Sequence, residues 1–218
     1  MKRKHVAIID FGMGNLFSVA QACEKSGLIP HITFKPETIQ DADALILPGV
    51  GAFGDAMNML NQFDLVDPIK KFISTGKPFM GICLGFQLLM TSSSEFGVHK
   101  GLDVINGKVI KFNEKENPNH KMKIPHVGWN QIELPGNSVD KWKDSPLEHI
   151  KPGAFFYFVH SFFVVPDSKE VVLSTTDYED TLFCSSIFYE NIFACQFHPE
   201  KSAKNGIDIY KLWAFKIK

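Results

Sequence analysis

The segment Pro78–Thr91, PFMGICLGFQLLMT, decides the fold. Its apolar first part, Pro78 to Ile82, predicts a buried strand, and Leu84 to Thr91 predicts a helix. Cys83 lies between the two, with glycines at positions 81 and 85 around it. A strand that passes directly into a helix is the building unit of parallel sheets covered by helices.

The remainder of the first half repeats this alternation. Strands are predicted at His5 to Asp10, Ile29 to Phe34 and Ala44 to Leu47. Helices are predicted at about Leu16 to Lys25, Asp55 to Gln62 and Asp67 to Ser74. This rhythm predicts an α/β fold with an open, mostly parallel sheet and helices on both faces. Ligands of such sheets bind at the carboxyl ends of the strands, where Cys83 and the Pro48–Gly51 loop fall.

The second half has a different character. β-Branched and aromatic runs dominate 102–134 and 155–199, which predicts an antiparallel β extension. Turns are expected at Asn106-Gly107, Pro135-Gly136 and Pro152-Gly153, an exposed loop at Glu114 to Lys123, and a closing helix at about Ala203 to Phe215. Because no repeat or low-complexity linker interrupts the chain, we interpret residues 1–218 as a single domain.

Composition excludes several classes of protein. The chain has 218 residues and a net charge of −1, which leaves no electrostatic footprint for nucleic acid or an acidic membrane. No apolar run approaches the roughly 18 residues of a membrane span, and the basic N-terminus lacks the apolar run of a secretion signal. We therefore expect a cytoplasmic protein. The four cysteines show neither a CxxC pair nor a zinc spacing, so reduced thiols, no metal and no cofactor are expected.

The pentapeptide Gly81-Ile82-Cys83-Leu84-Gly85 has the pattern of a nucleophile elbow, with cysteine in place of serine. A side chain at Gly81 or Gly85 would collide with neighbouring backbone in so tight a turn. The following helix places free N–H groups and its positive end beside the sulfur, which favours the thiolate. The purely structural alternative is a small residue packed at a strand–helix turn.

A cysteine nucleophile needs a base, and the base needs a group that orients it. Gln196-Phe197-His198-Pro199-Glu200 offers both at the end of a predicted strand. His198 and Glu200, two residues apart, are expected on the same side of an extended segment. Glu200 then holds the His198 imidazole in the tautomer that accepts a proton from Cys83. A lone histidine at a strand end is more often a surface residue, but its pairing with an elbow cysteine favours the catalytic interpretation.

Together these motifs carry a resemblance to a known family. Gly81–Leu89 and His198-Pro199-Glu200 resemble the triad, or class-I, glutamine amidotransferases. Other segments resemble one branch of that family, the glutaminase subunits of imidazole glycerol phosphate synthase: Asp10–Leu16, Leu47–Phe53, Pro125–Asn130 and Tyr157–Ser161. The resemblance runs from Val6 to the final helix and implies a flavodoxin-like fold. It also implies hydrolysis of glutamine to glutamate and ammonia through a Cys83 thioester, with Cys83, His198 and Glu200 as the triad.

The resemblance assigns further residues to roles around the triad. The oxyanion of the reaction is bound by the Leu84 amide and, if the Pro48–Gly51 loop turns the right way, by the Gly51 amide. Glycines on both sides of Val50 make the required peptide flip cheap. The substrate is bound by Gln87, Glu95, Gly49, His160 and Ser161, of which the last two rest on their place at a strand end. The partner interface includes Asn15 and Trp129. His126, next to Pro125 and Gly128 in an expected turn, has either a structural or a site role.

Free ammonia is mostly ammonium at neutral pH, so the resemblance implies a docked partner with a dry passage. That partner is a cyclase of (β/α)₈ barrel fold, which makes imidazole glycerol phosphate and AICAR in histidine biosynthesis. Phe11, Phe86, Phe162 and the run Thr91–Ser94 depart from the commonest pattern of the branch. These departures keep open a paralogous subunit that supplies ammonia for amidated surface sugars.

Two interpretations of other classes are weaker. An interaction protein that has lost the activity would usually have lost a member of the triad, and all three are present. A thiol hydrolase or peptidase of the same superfold should lack Gln87 and the Met13-Gly14-Asn15 loop, and both are present.

Overall fold

The computed structural model describes residues 3–112, 122–136 and 140–217, so the predicted loop at 114–123 lies almost entirely outside the described residues. The helices are α1 (Leu16–Lys25), α2 (Pro36–Asp41), α3 (Phe53–Gln62), α4 (Val66–Ser74), α5 (Leu84–Leu88) and α6 (Ala203–Phe215). The strands are β1 (His5–Ile9), β2 (Ile29–Thr33), β3 (Ala44–Leu47), β4 (Phe79–Ile82), β5 (Met90–Ser93), β6 (His99–Lys100), β7 (Ile105–Lys111), β8 (His126–Ile132), β9 (Ala154–His160), β10 (Phe162–Pro166), β11 (Val172–Tyr178), β12 (Thr181–Tyr189) and β13 (Ile192–Cys195). Single 3₁₀ turns lie at Lys169–Val171 and Pro199–Lys201.

The parallel part of the main sheet has the strand order β2-β1-β3-β4-β13. Successive residues of β1 face opposite sides: Ala7 and Ile9 pack into one core, and Val6 and Ile8 pack into the other. Helices α2, α3 and α4 contribute to the first core, and α1 and α6 to the second. The predicted sheet with helices on both faces is confirmed. Burial on both faces explains why these strands are apolar throughout.

Beyond β13 the sheet continues through β12, β10 and β7 in antiparallel pairs, which confirms the predicted antiparallel extension. β5 and β6 follow at the far edge, and β11 pairs with β12. β8 and β9 form a separate two-stranded antiparallel sheet in which Trp129 lies opposite Tyr157 and His126 opposite His160. This small sheet supplies residues to the site described below.

The helix predicted at Leu84 to Thr91 was too long. It ends at Leu88, and Met90–Ser93 is strand β5, which pairs with β7 and β6. The Leu88 carbonyl accepts from the Leu102 amide (2.8 Å) and the Leu89 carbonyl from the Ile105 amide (3.0 Å). Residues later in the sequence therefore donate to the carbonyl groups that a longer helix would have used for its own hydrogen bonds.

Four predicted turns can also be compared with the structure. The turns at Pro135-Gly136 and Pro152-Gly153 are confirmed, but Asn106-Gly107 lies inside β7. A Cβ at Gly107 would lie 2.7 Å from the Val165 carbonyl oxygen, so this glycine allows a close approach of two strands. The turn expected around His126 is also wrong, because His126 begins β8.

The described residues also limit the chemistry available elsewhere. None of their helices is long and apolar enough to cross a membrane. They contain no group of three or more His, Cys, Asp and Glu side chains arranged to hold a metal ion. All four cysteines are free thiols and buried.

Candidate active site

Cys83 occupies a strained elbow between β4 and α5. Its backbone has φ 53° and ψ −108°, a conformation that costs a non-glycine residue on the order of 1–3 kcal/mol. A Cβ at Gly85 would lie 1.8 Å from the Leu47 carbonyl oxygen, and one at Gly81 would lie 3.1 Å from the Gly85 carbonyl oxygen. The predicted collisions are thus present, and the one at Gly85 is prohibitive. The tight turn holds the sulfur above the end of the sheet.

Sheet topology brings the second motif to the same place. β4 and β13 are parallel neighbours with Ile82 opposite Cys195, and the Cys83 amide donates to the Cys195 carbonyl (2.8 Å). Both strands end at one edge of the sheet, so the residues that follow them meet there. His198 Nδ1 donates to Glu200 Oε1 at 2.8 Å, and both side chains are buried. The contact is made across the 3₁₀ turn Pro199–Lys201, not along an extended segment as predicted.

The surroundings of His198 favour its protonated form. Burial alone would lower the pKa of this imidazole, but the Cys83 sulfur and the Glu200 carboxylate raise it, and the net pKa is about 10. Because Nδ1 carries the proton donated to Glu200, Nε2 is the nitrogen left to exchange a proton with the sulfur. It is buried and has no hydrogen-bond partner among the described residues.

The contribution of the sulfur to this pKa can be measured directly. In a Cys83→Ala variant the pKa of His198 should fall, because the largest of the influences that raise it is removed. Cys184→Ala removes a buried thiol that does not act on His198 and serves as the control. NMR titration of the imidazole resonances measures the change, and an unchanged pKa in Cys83→Ala would mean that the two groups do not interact.

Ser202 and Gly206, to which the sequence motifs assigned no role, hold the turn after His198 in place. The Ser202 hydroxyl donates to the His198 carbonyl (2.7 Å) and accepts from the Tyr157 amide (3.0 Å). The His198 amide in turn donates to the Tyr157 carbonyl (2.9 Å). A Cβ at Gly206 would lie 1.7 Å from the Pro199 carbonyl oxygen, so α6 can pack against the turn only with glycine there. Hydrogen bonds and close packing therefore connect the turn after His198 to strand β9 and helix α6.

A cavity of about 310 Å³ opens beside Cys83. Seven residues predicted to bind the oxyanion or the substrate line it: Val50, Gly51, Leu84, Gln87, Glu95, His160 and Ser161. Gly49 is not among these lining residues, but its carbonyl accepts a hydrogen bond from the Leu84 amide at 3.3 Å. The Leu84 N–H, one of the two predicted oxyanion donors, is therefore already hydrogen-bonded to a backbone carbonyl.

Two of the predicted substrate residues are anchored by contacts of their own. Glu95 Oε2 accepts from the Phe53 amide (2.6 Å) at the start of α3, so this carboxylate caps a helix whose preceding residue, Ala52, cannot do so. Gln87 Nε2 donates to the Phe162 carbonyl and to Gln196 Oε1, both at 3.0 Å. The motif around His198 contains Gln196 but assigns it no role. A signal was available, since Gln196 lies in the same motif as His198, two residues before it.

Comparison with known proteins agrees with this geometry. The sequence profile described as "Glutamine amidotransferase class-I" matches residues 7–216. The chain belongs to the class-I glutamine amidotransferase family. It is 44% identical over 208 residues to "Imidazole glycerol phosphate synthase subunit HisH" of Syntrophotalea carbinolica, covering 94% of this chain and 97% of that one. It is 47% identical to the protein of the same name from Aquifex aeolicus, covering 93% and 92%.

A solved structure shares the fold of this class-I amidotransferase. It is described as PurLQS from Thermotoga maritima, and one of its chains superimposes with a TM-score of 0.69. The match covers 99% of this chain and 100% of that one, at 18% sequence identity. At such low identity the likeness establishes the architecture alone.

The amidotransferase cavity is backed by a pair of buried histidines. His160 Nδ1 lies 2.8 Å from the Phe162 carbonyl, which can only accept, so Nδ1 carries the proton and Nε2 is an acceptor. His126 Nδ1 lies 3.1 Å from His160 Nε2 and must therefore donate to it. His126 Nε2 accepts from the side-chain amide of Asn130 at 3.3 Å. His126 also stacks on Tyr178, with centroids 3.9 Å apart. Both rings are thus held neutral, with defined tautomers.

Burial lowers the pKa of both histidines, to about 4 for His126 and about 3 for His160. Between these values and the ordinary pKa of 6.5, the unfolded chain binds more protons than the folded one, so the free energy of unfolding decreases as the pH falls. The full contribution of the two neutral histidines to the free energy of unfolding is present above pH 6.5.

We therefore expect stability to decline on acidification from about pH 6.5 towards pH 4. His126→Asn keeps a donor at the position of Nδ1 but does not titrate, and it should make this decline shallower. Urea unfolding at a series of pH values provides the slope, and the exposed His149→Asn is the control. A slope in His126→Asn equal to that of the unaltered chain would contradict the role given to the pair.

The two residues predicted at a partner interface are on the surface of this family member. Asn15 is exposed and caps α1, since its Oδ1 accepts from the Ser18 amide at 3.2 Å. Trp129 is 52% exposed and makes an edge contact with Tyr157. Val50, which lines the cavity, is 41% exposed, and Phe17 on α1 is 71% exposed. Exposed apolar side chains that lie close together are typical of a surface that another protein covers.

Proposed function

We propose that this chain is the glutaminase subunit of imidazole glycerol phosphate synthase, which hydrolyses glutamine and passes the ammonia to a cyclase. The observations that carry the proposal are that Cys83 lines the cavity, that its sulfur raises the pKa of His198, and that His198 Nδ1 donates to Glu200 Oε1. It is strengthened by near-full-length identity of 44–47% to HisH proteins. A single domain over residues 1–218 and a cytoplasmic location belong to the same proposal.

The first chemical step is attack by the Cys83 sulfur on the side-chain carboxamide carbon of glutamine. The raised pKa of His198 means that this imidazole readily takes the thiol proton. Glu200 keeps the proton on Nδ1 and compensates the charge of the imidazolium. Collapse of the tetrahedral intermediate breaks the C–N bond, and His198 returns its proton to the departing ammonia. Water, activated by the same imidazole, then hydrolyses the glutamyl thioester to glutamate.

The oxyanion of the tetrahedral intermediate requires two N–H donors. Leu84 provides one of them, provided that the Gly49 carbonyl moves away from it. A flip of the Gly49–Val50 peptide removes that carbonyl and presents the Val50 N–H in its place. The geometry therefore favours Val50 over Gly51 as the second donor. Such a flip changes ψ of Gly49 and φ of Val50, and glycine at position 49 supplies backbone freedom on one side of the rotating peptide.

The amino acid end of glutamine fits the far side of the cavity. Gln87 directs its nitrogen to Phe162 and Gln196, so its Oε1 remains to accept from the substrate's α-ammonium group. Glu95 lines the same wall and carries a negative charge that complements the ammonium. His160 and Ser161 complete the wall beneath the substrate.

We further propose that the partner is a (β/α)₈ barrel cyclase, which docks over Asn15 and Trp129. Trp129 lies opposite Tyr157, and the Tyr157 carbonyl accepts from the His198 amide. A partner that contacts Trp129 is therefore one strand away from the backbone of the catalytic histidine. Docking over the cavity mouth also keeps the ammonia out of bulk water, where protonation would make it unreactive.

The alternative function, ammonia supply for amidated surface sugars, is not favoured by the relatives. The similar curated proteins described above are both named as subunits of imidazole glycerol phosphate synthase. The departures at Phe11 and Phe86 concern fully buried side chains, which affects packing and not the choice of partner.

Reconstitution with the cyclase of the same organism tests the proposed function. The complex should form imidazole glycerol phosphate and AICAR from the phosphoribulosyl nucleotide with glutamine as nitrogen source. The control uses the cyclase with ammonium salt and without this chain. If this chain leaves the cyclase dependent on added ammonium but supports a sugar amidotransferase with glutamine, the histidine-pathway assignment is wrong.

A further inference from the structure

Two buried carboxamides connect the wall of the cavity to the Cys83 sulfur. Gln87, on α5, is 6% exposed, and Gln196, just after β13, is fully buried. Gln87 Nε2 donates to Gln196 Oε1 at 3.0 Å, and Gln196 Nε2 donates to Cys83 Sγ at 3.6 Å. The sequence motifs assign Gln87 to substrate binding and assign Gln196 no role.

The orientation of both carboxamides is fixed by one backbone carbonyl. The Phe162 carbonyl can only accept, so the Gln87 atom that lies 3.0 Å from it must be the nitrogen. That same nitrogen faces Gln196, which must therefore present its oxygen to it. The remaining end of the Gln196 carboxamide is its NH₂ group, and this group faces the sulfur.

We propose that Gln196 donates a hydrogen bond that stabilises the Cys83 thiolate, and that Gln87 is the positioning residue that keeps this donor facing the sulfur. A hydrogen bond to an ionised acceptor is roughly twice as strong as a neutral one. Burial increases its strength further, because water does not compete for the sulfur. The inference builds on the proposed role of Cys83 as nucleophile.

Two backbone donors near the sulfur are otherwise engaged. The Leu84 amide donates to the Gly49 carbonyl, and the Cys83 amide donates to the Cys195 carbonyl. Helix α5 is only five residues long, which makes its dipole small. His198 Nε2 has no hydrogen-bond partner within the described part of the chain, and the sulfur raises the pKa of this imidazole chiefly through its charge. Within the ranges 3–112, 122–136 and 140–217, Gln196 is the side chain whose N–H donates to this sulfur.

The proposal gives Gln87 an effect that a substrate ligand alone would not have. Gln87→Met removes the donor without adding a charge, so nothing then holds the Gln196 oxygen away from the sulfur. The thiolate would lose the fixed donor that faces it, even with no glutamine present. A residue that only binds substrate would leave the reactivity of the empty site unchanged.

The test is the pH dependence of Cys83 alkylation by iodoacetamide in the isolated chain without glutamine. Burial raises the pKa of Cys23 to about 12 and raises those of Cys184 and Cys195 well above the ordinary thiol range, so these thiols react little. Peptide mass spectrometry assigns the label. Gln196→Met should slow labelling of Cys83 at pH 7 by roughly tenfold and move the pH midpoint upward. Gln87→Met should act in the same direction.

Matched variants separate this effect from a loss of stability. Gln40→Met removes a carboxamide on α2 that donates to the Pro68 carbonyl at 2.8 Å, and it should leave the profile unchanged. Gln196→Leu removes the same donor with an uncharged side chain and should slow labelling to a similar extent, which makes it the substitute if Gln196→Met does not fold. Circular dichroism checks the fold of every variant.

An unchanged labelling profile in folded Gln196→Met or Gln196→Leu would overturn the proposed thiolate donor. A changed profile in the Gln196 variants with no change in Gln87→Met would overturn the positioning role of Gln87. The result is independent of the proposed function. A chain whose Cys83 labelling depends on Gln196, but which yields no glutamine-dependent product with the cyclase, would refute that function and leave this inference intact.

Discussion

Replacing Cys83 by alanine abolishes glutamine-dependent synthesis by the complex, while added ammonium still supports the reaction of the cyclase. The expected loss is on the order of 10⁴-fold or more, because the alanine side chain cannot form the thioester on which the mechanism depends. Retained ammonium-dependent turnover shows that the cyclase is active, and co-elution of the variant with the cyclase in size-exclusion chromatography shows that the assembly is intact.

The control for this experiment is Cys184→Ala, which removes a buried thiol of β12. It should leave glutamine-dependent turnover near the level of the unaltered chain. Retained glutamine-dependent turnover in Cys83→Ala would end the assignment of the nucleophile.

The second large effect concerns the isolated chain, which we expect to hydrolyse glutamine at least about 100-fold more slowly than the complex. The Leu84 amide is occupied by the Gly49 carbonyl, so the oxyanion site lacks both donors until the Gly49–Val50 peptide turns over. Val50 is 41% exposed, which leaves it accessible to a docked partner that can favour the turned state.

Glutamate production by the chain alone and with a saturating amount of the cyclase measures this ratio. Equal rates with and without the partner would mean that the oxyanion site is complete in the free chain. The same titration with Cys83→Ala provides the background rate.

Much of the fold could be predicted because its signals are local. Leu16–Lys25, Ala44–Leu47 and Ala203–Phe215 have the predicted limits, since apolar periodicity and flanking turn residues mark them within the segment itself. Helix α2, Pro36–Asp41, was missed because its six residues are too few to show a period.

Elements fixed by distant chain were the ones predicted wrongly. The end of α5 depends on amides of Leu102 and Ile105 that take its carbonyls, and no pattern near Leu88 reveals them. The pair Asn106-Gly107 predicts a turn, although Gly107 serves the close approach of β7 to β10. A glycine needed for space and a glycine needed for a turn have the same appearance in a sequence.

The features of the site also differ in whether the sequence could predict them. Cys83, His198 and Glu200 could be proposed because each lies in a short motif whose spacing reflects its chemistry. The engagement of Leu84 by Gly49, and the contact of Gln196 with the sulfur, depend on loop geometry that the motifs leave open. The motifs thus specify the reacting groups, whereas the state of the oxyanion site requires coordinates.

Trapping of the covalent intermediate tests the central claim most directly. The complex is quenched with acid during turnover of isotopically labelled glutamine, and its peptides are analysed by mass spectrometry. We predict a labelled glutamyl group on the peptide that contains Cys83, and none in Cys83→Ala. Absence of any labelled peptide during active turnover, or a label on Cys23, Cys184 or Cys195, would contradict the account.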